Sequence, residues 1–278
     1  MNFLISGGSG SFGQAYVKHL LENSPAERIV IYSRDEWKQA QMRQVFNDDP
    51  RLRFMIGDVR DRDRLTRAML GIDIVIHAAA LKRIEVGFYS PEEMIRTNVD
   101  GAINVINAAF IAKVHSVVAL STDKAYKAVS PYGFSKAVSE QLFLNANNTF
   151  GEHGPRFSCV RYGNIFRSRG SLVPKWEEII AKGAKRVPVT DPDCSRFFMR
   201  MEEAVELVSN AAGKRDLIIA KSLPAFRVGD LAEAMSVEMD IRGLPEWEKM
   251  HECLAEGICS NTARRMTVDE LREELKNV

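Results

Sequence analysis

Short apolar runs alternate with stretches of helical periodicity along the first half of the chain. The run "NFLIS" leads into a glycine turn, after which Phe12, Ala15, Tyr16, His19 and Leu20 share one face of a predicted helix. "RIVIYS", "RFMIGD", "DIVIHAAA", "SVVALST" and "FSCVRYGN" read as further strands. "DIVIHAAA" is apolar on both faces, as a buried parallel strand should be. A helix start is expected at Ser90, with Pro91 in the first position and Glu93 closing a capping box; a second long helix begins at Pro131. Strands alternating with helices predict an α/β protein with a doubly wound parallel sheet. Past Asn164 the alternation gives way to glycines, prolines and short elements. Helices are still legible from Met201 to Ala212, from Val228 to Met235, and from Thr267, where Glu270 completes a capping box. The expected division is residues 1–164 as a nucleotide-binding domain and 165–278 as a smaller substrate-binding region, with some segments returning to the first domain.

Composition narrows the function. The 278 residues carry 38 basic and 37 acidic side chains, a balance that offers no nucleic-acid or membrane surface. The run "DVRDRDRLTR" alternates in sign and reads as a solvated loop and helix face. No apolar stretch is long enough to span a bilayer and no secretory leader is evident, so a cytoplasmic protein is expected. Cys159, Cys194, Cys253 and Cys259 lack CxxC spacing and read as reduced thiols packed like small hydrophobes. The five histidines form no ligand pattern, so no metal is expected.

The chemistry begins in "SGGSGSFG". Gly7, Gly10 and Gly13, with Ser9, Ser11 and Phe12 between them, lie between a strand and a helix. There the amides and the helix dipole favour a pyrophosphate. This makes the sheet Rossmann-type. At the tip of the second strand an NAD site wants a carboxylate for the ribose; the chain instead has Ser33 and Arg34, then Asp35 and Lys38. Arg34 can fork onto a 2′-phosphate, which favours NADP and leaves NAD open. Asp58 and Val59 follow the third strand, where they can meet the adenine. Ala78, Ala79 and Ala80 leave room for the cofactor backbone, and His77 before them reads as structural. Asn98 can bond backbone near the site, and Lys82 can reach the cofactor or a substrate phosphate.

Tyr132 and Lys136 sit one helical turn apart. A phenol titrates near ~10, and an ammonium close by would lower that value so that Tyr132 can act as a base. Just upstream stand Thr122, Asp123 and Lys124. A plain dehydrogenase needs no second acid/base pair, and a structural ion pair is the other reading of Asp123 and Lys124.

The chain resembles an extended short-chain dehydrogenase/reductase, and more narrowly the short inverting UDP-N-acetylglucosamine 4,6-dehydratases. The resemblance rests on "GGSGSFG", "YSRDE", "GDVRD", "IHAAALK", "TNVDGAINV", "ALSTDKA", "YGFSK", "VRYGN", "SRGSLVP", "VTDPDCSRF" and "EKMHE". It implies that Tyr132 takes the C4 hydroxyl proton, Lys124 acts as base at C5, Asp123 protonates the leaving O6, and Thr122 binds substrate or orients the pair. It further implies contacts of Asn164, Ser168 and Leu172 near the sugar and pyrophosphate, Thr190 at the uracil, Arg196 at the diphosphate and Glu248 near the ribose, and a homo-oligomeric assembly. Two departures fall around the substrate: "YKAVSP" stands where an Asn-Pro is usual, and "RGLPEW" replaces Arg-Pro-Gly. A 4-epimerase or ketoreductase of the same fold needs Tyr132 and Lys136 but gives Asp123 and Lys124 no particular role. A non-catalytic NADP-binding regulator would typically lack the complete Tyr/Lys pair.

Overall fold

The computed structural model describes residues 1–276. Strands β1 (Asn2–Ser6), β2 (Arg28–Ser33), β3 (Leu52–Ile56), β4 (Ile74–His77), β5 (Ser116–Leu120) and β6 (Arg156–Arg161) form the sheet read from the sequence. β7 (Arg186–Val189) and β8 (Ser195–Phe197) lie outside it, and β9 (Leu217–Ile219) joins it at the edge. The order β3-β2-β1-β4-β5-β6-β9 is parallel throughout. Three residues are too few to show a period, which is why β9 is silent in the sequence.

Strand alternation divides the core. Phe3, Ile5, Ile29, Ile31, Ile76, Val118 and Val160 face one layer, where α1 (Ser11–Asn23) contributes Tyr16 and Leu20 and α2 (Glu36–Val45) contributes Met42. Leu4, Val30, Tyr32, Val75, Val117 and Cys159 face the other, against α3 (Arg62–Met69). Each large side chain so buried contributes roughly 1.5–3 kcal/mol, which fixes strand register and hence the loop positions at the strand ends.

The segment after β4 departs from the sequence reading. α4 (Ile84–Tyr89) precedes α5 (Pro91–Ile95), and a π-helical turn at Arg96–Asp100 leads into α6 (Gly101–Ile111). Ser90 is the N-cap and Pro91 opens the helix, but the capping box does not form. Glu93 instead bonds Arg60 at 2.6 Å and Arg96 at 3.0 Å, charge-assisted contacts that outcompete a neutral amide. α7 (Pro131–Phe150) follows, and α8 (Leu172–Ala181), α9 (Met201–Ser209) and α10 (Val228–Ala234) belong to the second half. α11 (Val268–Lys276) has its capping box: Glu270 N donates to Thr267 Oγ1 at 3.2 Å and Thr267 N to the Glu270 carboxylate at 2.8 Å.

Outside the main sheet, β10 (Ala225–Arg227) pairs with β8, and β11 (Glu238–Ile241) with β7. β12 (Cys253–Ala255) and β13 (Ile258–Cys259) make a hairpin. Here the reading of four thiols is corrected. Cys253 and Cys259 face each other across the hairpin, with Cα atoms 4.0 Å apart, and are disulfide-bonded. Cys159 and Cys194 are free and buried, as expected. No helix among the described residues is long and apolar enough to cross a membrane.

Candidate active site

The turn after β1 is built for an anion. Gly7 has φ +69°, and a Cβ there would stand 2.8 Å from the Ala79 amide nitrogen, so the glycine lets the loop lie against the end of β4. α1 begins at Gly10 without a side-chain cap and without an acidic residue in its first turn. Its leading amides and its dipole are therefore open to a pyrophosphate. Ser11 Oγ accepts from Arg169 N at 3.3 Å, tying this loop to the second half. Phe12 is buried and stacks on Tyr16, so its part is packing.

At the tip of β2 the expected residues separate. Ser33 is buried, and its Oγ accepts from Ser9 Oγ at 3.0 Å and Gln39 Nε2 at 2.9 Å. Asp35 caps α2 and pairs with Lys38, whose ammonium holds the Asp35 carboxyl below its usual range. Arg34 is 54% exposed and lies 3.6 Å from Asp58 Oδ2. Asp58 is bound more tightly by Arg60, at 2.7 Å. Burial raises the Asp58 carboxyl, but Arg60 and Arg34 outweigh it and the net direction is down. Val59 is buried against Gly101.

Ala78, Ala79 and Ala80 are half-buried at the end of β4. His77 before them is buried, 2.8 Å from Ser6 Oγ through Nδ1. Burial, then Lys136, lowers its pKa to about 3, so it is a neutral structural imidazole, as the sequence suggested. Asn98 clamps the next loop: its Oδ1 accepts from Leu81 N at 2.8 Å, and its Nδ2 donates to Leu81 O and to Ser135 Oγ on α7 at 2.9 Å each. Lys82 is exposed nearby, yet packing around its ammonium and the cations Arg169 and Lys175 pull it below the ordinary lysine range.

The acid/base residues converge where β5 ends. Thr122 caps a single 3₁₀ turn, Asp123–Ala125, and its Oγ1 donates to Asp123 Oδ1 at 3.0 Å. α7 crosses directly over this turn. Its Gly133 is needed there, because a Cβ would stand 2.4 Å from the Lys124 carbonyl oxygen. That close approach sets Tyr132 beside Asp123 and Lys124. Asp123 is fully buried, and its Oδ2 has no hydrogen-bond partner among the described residues.

Lys124 Nζ is 3.1 Å from Asp123 Oδ1, 3.3 Å from Asn164 Oδ1 and 3.3 Å from Glu252 Oε1. Burial, with Glu252, drives the Asp123 carboxyl upward, against the pull of Lys124 and Thr122. Burial also opposes the Lys124 ammonium, but Asp123 and Glu252 overcome it and hold the group charged. The Tyr132 phenol is pushed up to about 12, chiefly by burial, while Lys124 and Thr122 pull the other way. This is opposite in direction to the lowering expected from a lysine one turn away. The reason is that the phenol is itself buried, beside the Asp123 carboxyl, and this outweighs the pull of the nearby cation. Lys136 is buried too and, by that burial, pulled below the ordinary lysine range.

The second half supplies the opposite wall. Arg196, on β8 and buried, donates to Glu248 Oε1 at 2.5 Å and to the Ser195 and Met250 carbonyls. Arg196, Glu248 and Lys124 line one cavity with Ile84, Val129 and Glu252. Two residues there escaped the sequence reading, Lys249 and Glu252. Lys249 Nζ reaches Glu252 Oε2 at 2.8 Å and donates to the Tyr126 carbonyl at 3.0 Å. The only sequence signal for either is their place in "EKMHE". Ser168 turns the chain between Ile165 and Ser171, Leu172 opens α8 against the C-terminal core, and Thr190 stands beside Cys194; none is drawn into the Lys124 cluster.

The chain matches the model of a family described as polysaccharide biosynthesis protein over residues 3–269. It is 45% identical over 258 residues to the inverting UDP-N-acetylglucosamine 4,6-dehydratase of Campylobacter jejuni, covering 91% of this chain and 77% of that one. It is 38% identical to a UDP-glucose 4-epimerase of Rickettsia massiliae, covering 97% and 80%. Among solved structures, Pen from Bacillus thuringiensis superposes with a TM-score of 0.93 at 31% identity, covering 100% of this chain and 98% of that one. DesIV, a dTDP-glucose 4,6-dehydratase from Streptomyces venezuelae solved with NAD bound, shares the fold at a TM-score of 0.83 and 20% identity, covering 99% and 96%. With the glycine loop, the parallel sheet and the Tyr132/Lys136 helix in place, this chain belongs to the polysaccharide biosynthesis protein family, within the extended short-chain dehydrogenase/reductases.

Proposed function

We propose that the protein is an NADP-dependent 4,6-dehydratase acting on UDP-N-acetylglucosamine, with inversion at C5. The observation that carries this is the buried Asp123–Lys124 pair beside Tyr132, a second acid/base couple that simple redox at C4 does not require. The Campylobacter jejuni relative bears the matching name. A nicotinamide dinucleotide fits the glycine turn and the uncapped start of α1, and when bound it supplies the hydride acceptor and donor. Arg34, largely exposed at the tip of β2 and only loosely paired with Asp58 at 3.6 Å, supports the choice of NADP. Residues 1–164 hold the dinucleotide, and 165–278 contribute the sugar-nucleotide wall through Arg196.

Tyr132 receives the C4 hydroxyl proton as the sugar is oxidised. The C4 ketone then acidifies C5. A proton passing from Lys124 Nζ to Asp123 Oδ1, 3.1 Å away, gives the neutral amine and protonated acid that elimination needs. The C5–H bond then breaks, its proton joins the Lys124 nitrogen, and its electron pair enters the C4–C5 enolate. As the enolate collapses, C5 and C6 become doubly bonded, the C6–O6 bond breaks and the Asp123 proton leaves with O6 as water. Burial, which favours protonated Asp123, serves this step directly.

Incubation with UDP-N-acetylglucosamine in D₂O is the test. The expected product is lighter than substrate by one water and carries one deuterium at C5, whereas label at C4 migrates to C6. A 4-epimerase, the reading favoured by the Rickettsia relatives' names, loses no water and takes up no deuterium at C5. For the cofactor, Arg34→Ala should weaken NADP much more than NAD in a binding titration; equal losses would remove the assignment.

A further inference from the structure

Glu252 is the member of the buried cluster that the elimination chemistry leaves without a task. Only 2% exposed, it stands just before the disulfide-bonded hairpin. Its amide donates to Ser260 Oγ at 3.0 Å, and its carbonyl accepts from Ser260 N at 2.8 Å. The backbone that carries this carboxylate is thus held through both its amide and its carbonyl. One oxygen meets Lys249 at 2.8 Å and the other meets Lys124 at 3.3 Å.

We infer that Glu252 is a positioning residue for C5 deprotonation, acting through Lys124, whose nitrogen it aims and whose developing ammonium it stabilises. This rests on the dehydratase reading. A neutral lysine amine has two N–H bonds and one lone pair. Nζ hydrogen-bonds Asp123 Oδ1 at 3.1 Å and Asn164 Oδ1 at 3.3 Å, and the Glu252 Oε1 charge 3.3 Å away adds a third fixed attraction. Together these restrict the direction the nitrogen presents on a side chain that lines the cavity. When Lys124 takes the C5 proton, a positive charge appears 3.3 Å from a fixed carboxylate in a site largely closed to water. Glu252 keeps its charge throughout: burial opposes ionisation, but Lys124, Lys249 and Arg196 outweigh it and bring its pKa to about 2.

The groups that face Lys124 are Asp123 on its own turn, Tyr132 from α7, Glu252 with Lys249 from the segment before β12, and Arg196 from β8, itself paired with Glu248. Removing the Glu252 charge from this set makes the Lys124 ammonium easier to deprotonate and a poorer home for a proton. Two signatures follow. In Glu252→Gln the Lys124 titration should fall by about one pH unit or more, a tenfold change in proton affinity. The acid limb of C5 deuterium exchange should move down with it, while the plateau rate drops and KM for UDP-N-acetylglucosamine changes little.

Competitive acetylation of the whole chain across pH, read as the mass of the Lys124 peptide, reports the first without needing turnover. Exchange in D₂O reports the second. Glu252→Asp keeps the charge at longer reach and should give smaller shifts in the same direction; it also carries the test if Glu252→Gln loses its circular-dichroism signature. An unmoved Lys124 titration, or an unmoved acid limb in an enzyme that still loses water, overturns the inference and leaves the dehydratase reading standing. A wild-type chain that removes no water from UDP-N-acetylglucosamine overturns both.

Discussion

Lys124 and Lys136 are two buried lysines on adjoining elements, and the structure drives them in opposite directions. Lys136, on α7, is governed by burial; Glu140, which faces it weakly, is already bound to Arg161 at 2.5 Å. Its ammonium is therefore destabilised. Lys124, on the turn after β5, suffers the same desolvation but has Asp123 and Glu252 at 3.1 and 3.3 Å. Its ammonium is therefore held. Burial of a cation fixes only the cost; the carboxylates within reach decide which protonation state survives. One helix and one turn thus present a cation that loses its proton readily beside one that keeps it.

The largest expected effects lie in partial reactions. Tyr132→Phe should slow sugar oxidation by roughly 10²–10⁴, because the acceptor of the C4 proton is gone. Cofactor binding should persist. Lys124→Ala should still oxidise the sugar, seen as nicotinamide reduction in a single turnover, and should stop before C5 exchange. If Lys124→Ala and Tyr132→Phe fail at the same step, the division of labour between the two elements is wrong.

Stability comes next. Lys124→Met leaves Asp123 and Glu252 buried without their shared cation and should cost about 3–5 kcal/mol. Lys136→Met removes a buried cation that lacks such partners and should raise the thermal midpoint while abolishing turnover. Calorimetry of the two variants decides; a loss of equal size in both would mean Lys136 has a counter-ion after all.

The smallest expected differences concern acid. Glu252 and His77 both have folded pKa values below their ordinary ones, so each contributes stability that is full above its unfolded value and fades as pH falls. For Glu252 the window runs from 4.5 to about 2, and for His77, beside Lys136, from 6.5 to about 3. Acid unfolding followed by fluorescence should accordingly lose its upper part in His77→Asn and its lower part in Glu252→Gln. A His77→Asn curve unchanged above pH 5 would contradict a neutral buried imidazole.

Six strands of the main sheet, its parallel character and the helix that carries Tyr132 were legible in the chain, because each is coded by neighbours in sequence; the order of the strands was not. Alternation places Ile5 and Leu4 on opposite faces, glycines mark the turn after β1, and Pro131 marks the start of α7. Thr122, Asp123 and Lys124 were legible for the same reason, being consecutive at a strand end. The capping box at Ser90 misled because Glu93 answers to Arg60, distant in the chain but 2.6 Å away in space. Ser33 is placed by sequence at the strand tip, but its bonds to Ser9 and Gln39 come from the fold.

By itself the sequence determined six strands of the parallel sheet, the glycine turn after β1 and the nearness of Thr122, Asp123 and Lys124 to the strand end. Only the tertiary structure decided how those groups are charged. Glu252 comes to Lys124 from more than a hundred positions away, Gly133 matters because α7 crosses the Lys124 carbonyl, and Cys253 meets Cys259 because a hairpin turns between them. Periodicity records which face of an element is apolar. Electrostatic environment depends instead on burial and on charges a few ångströms away, and neither distance is written in the order of residues.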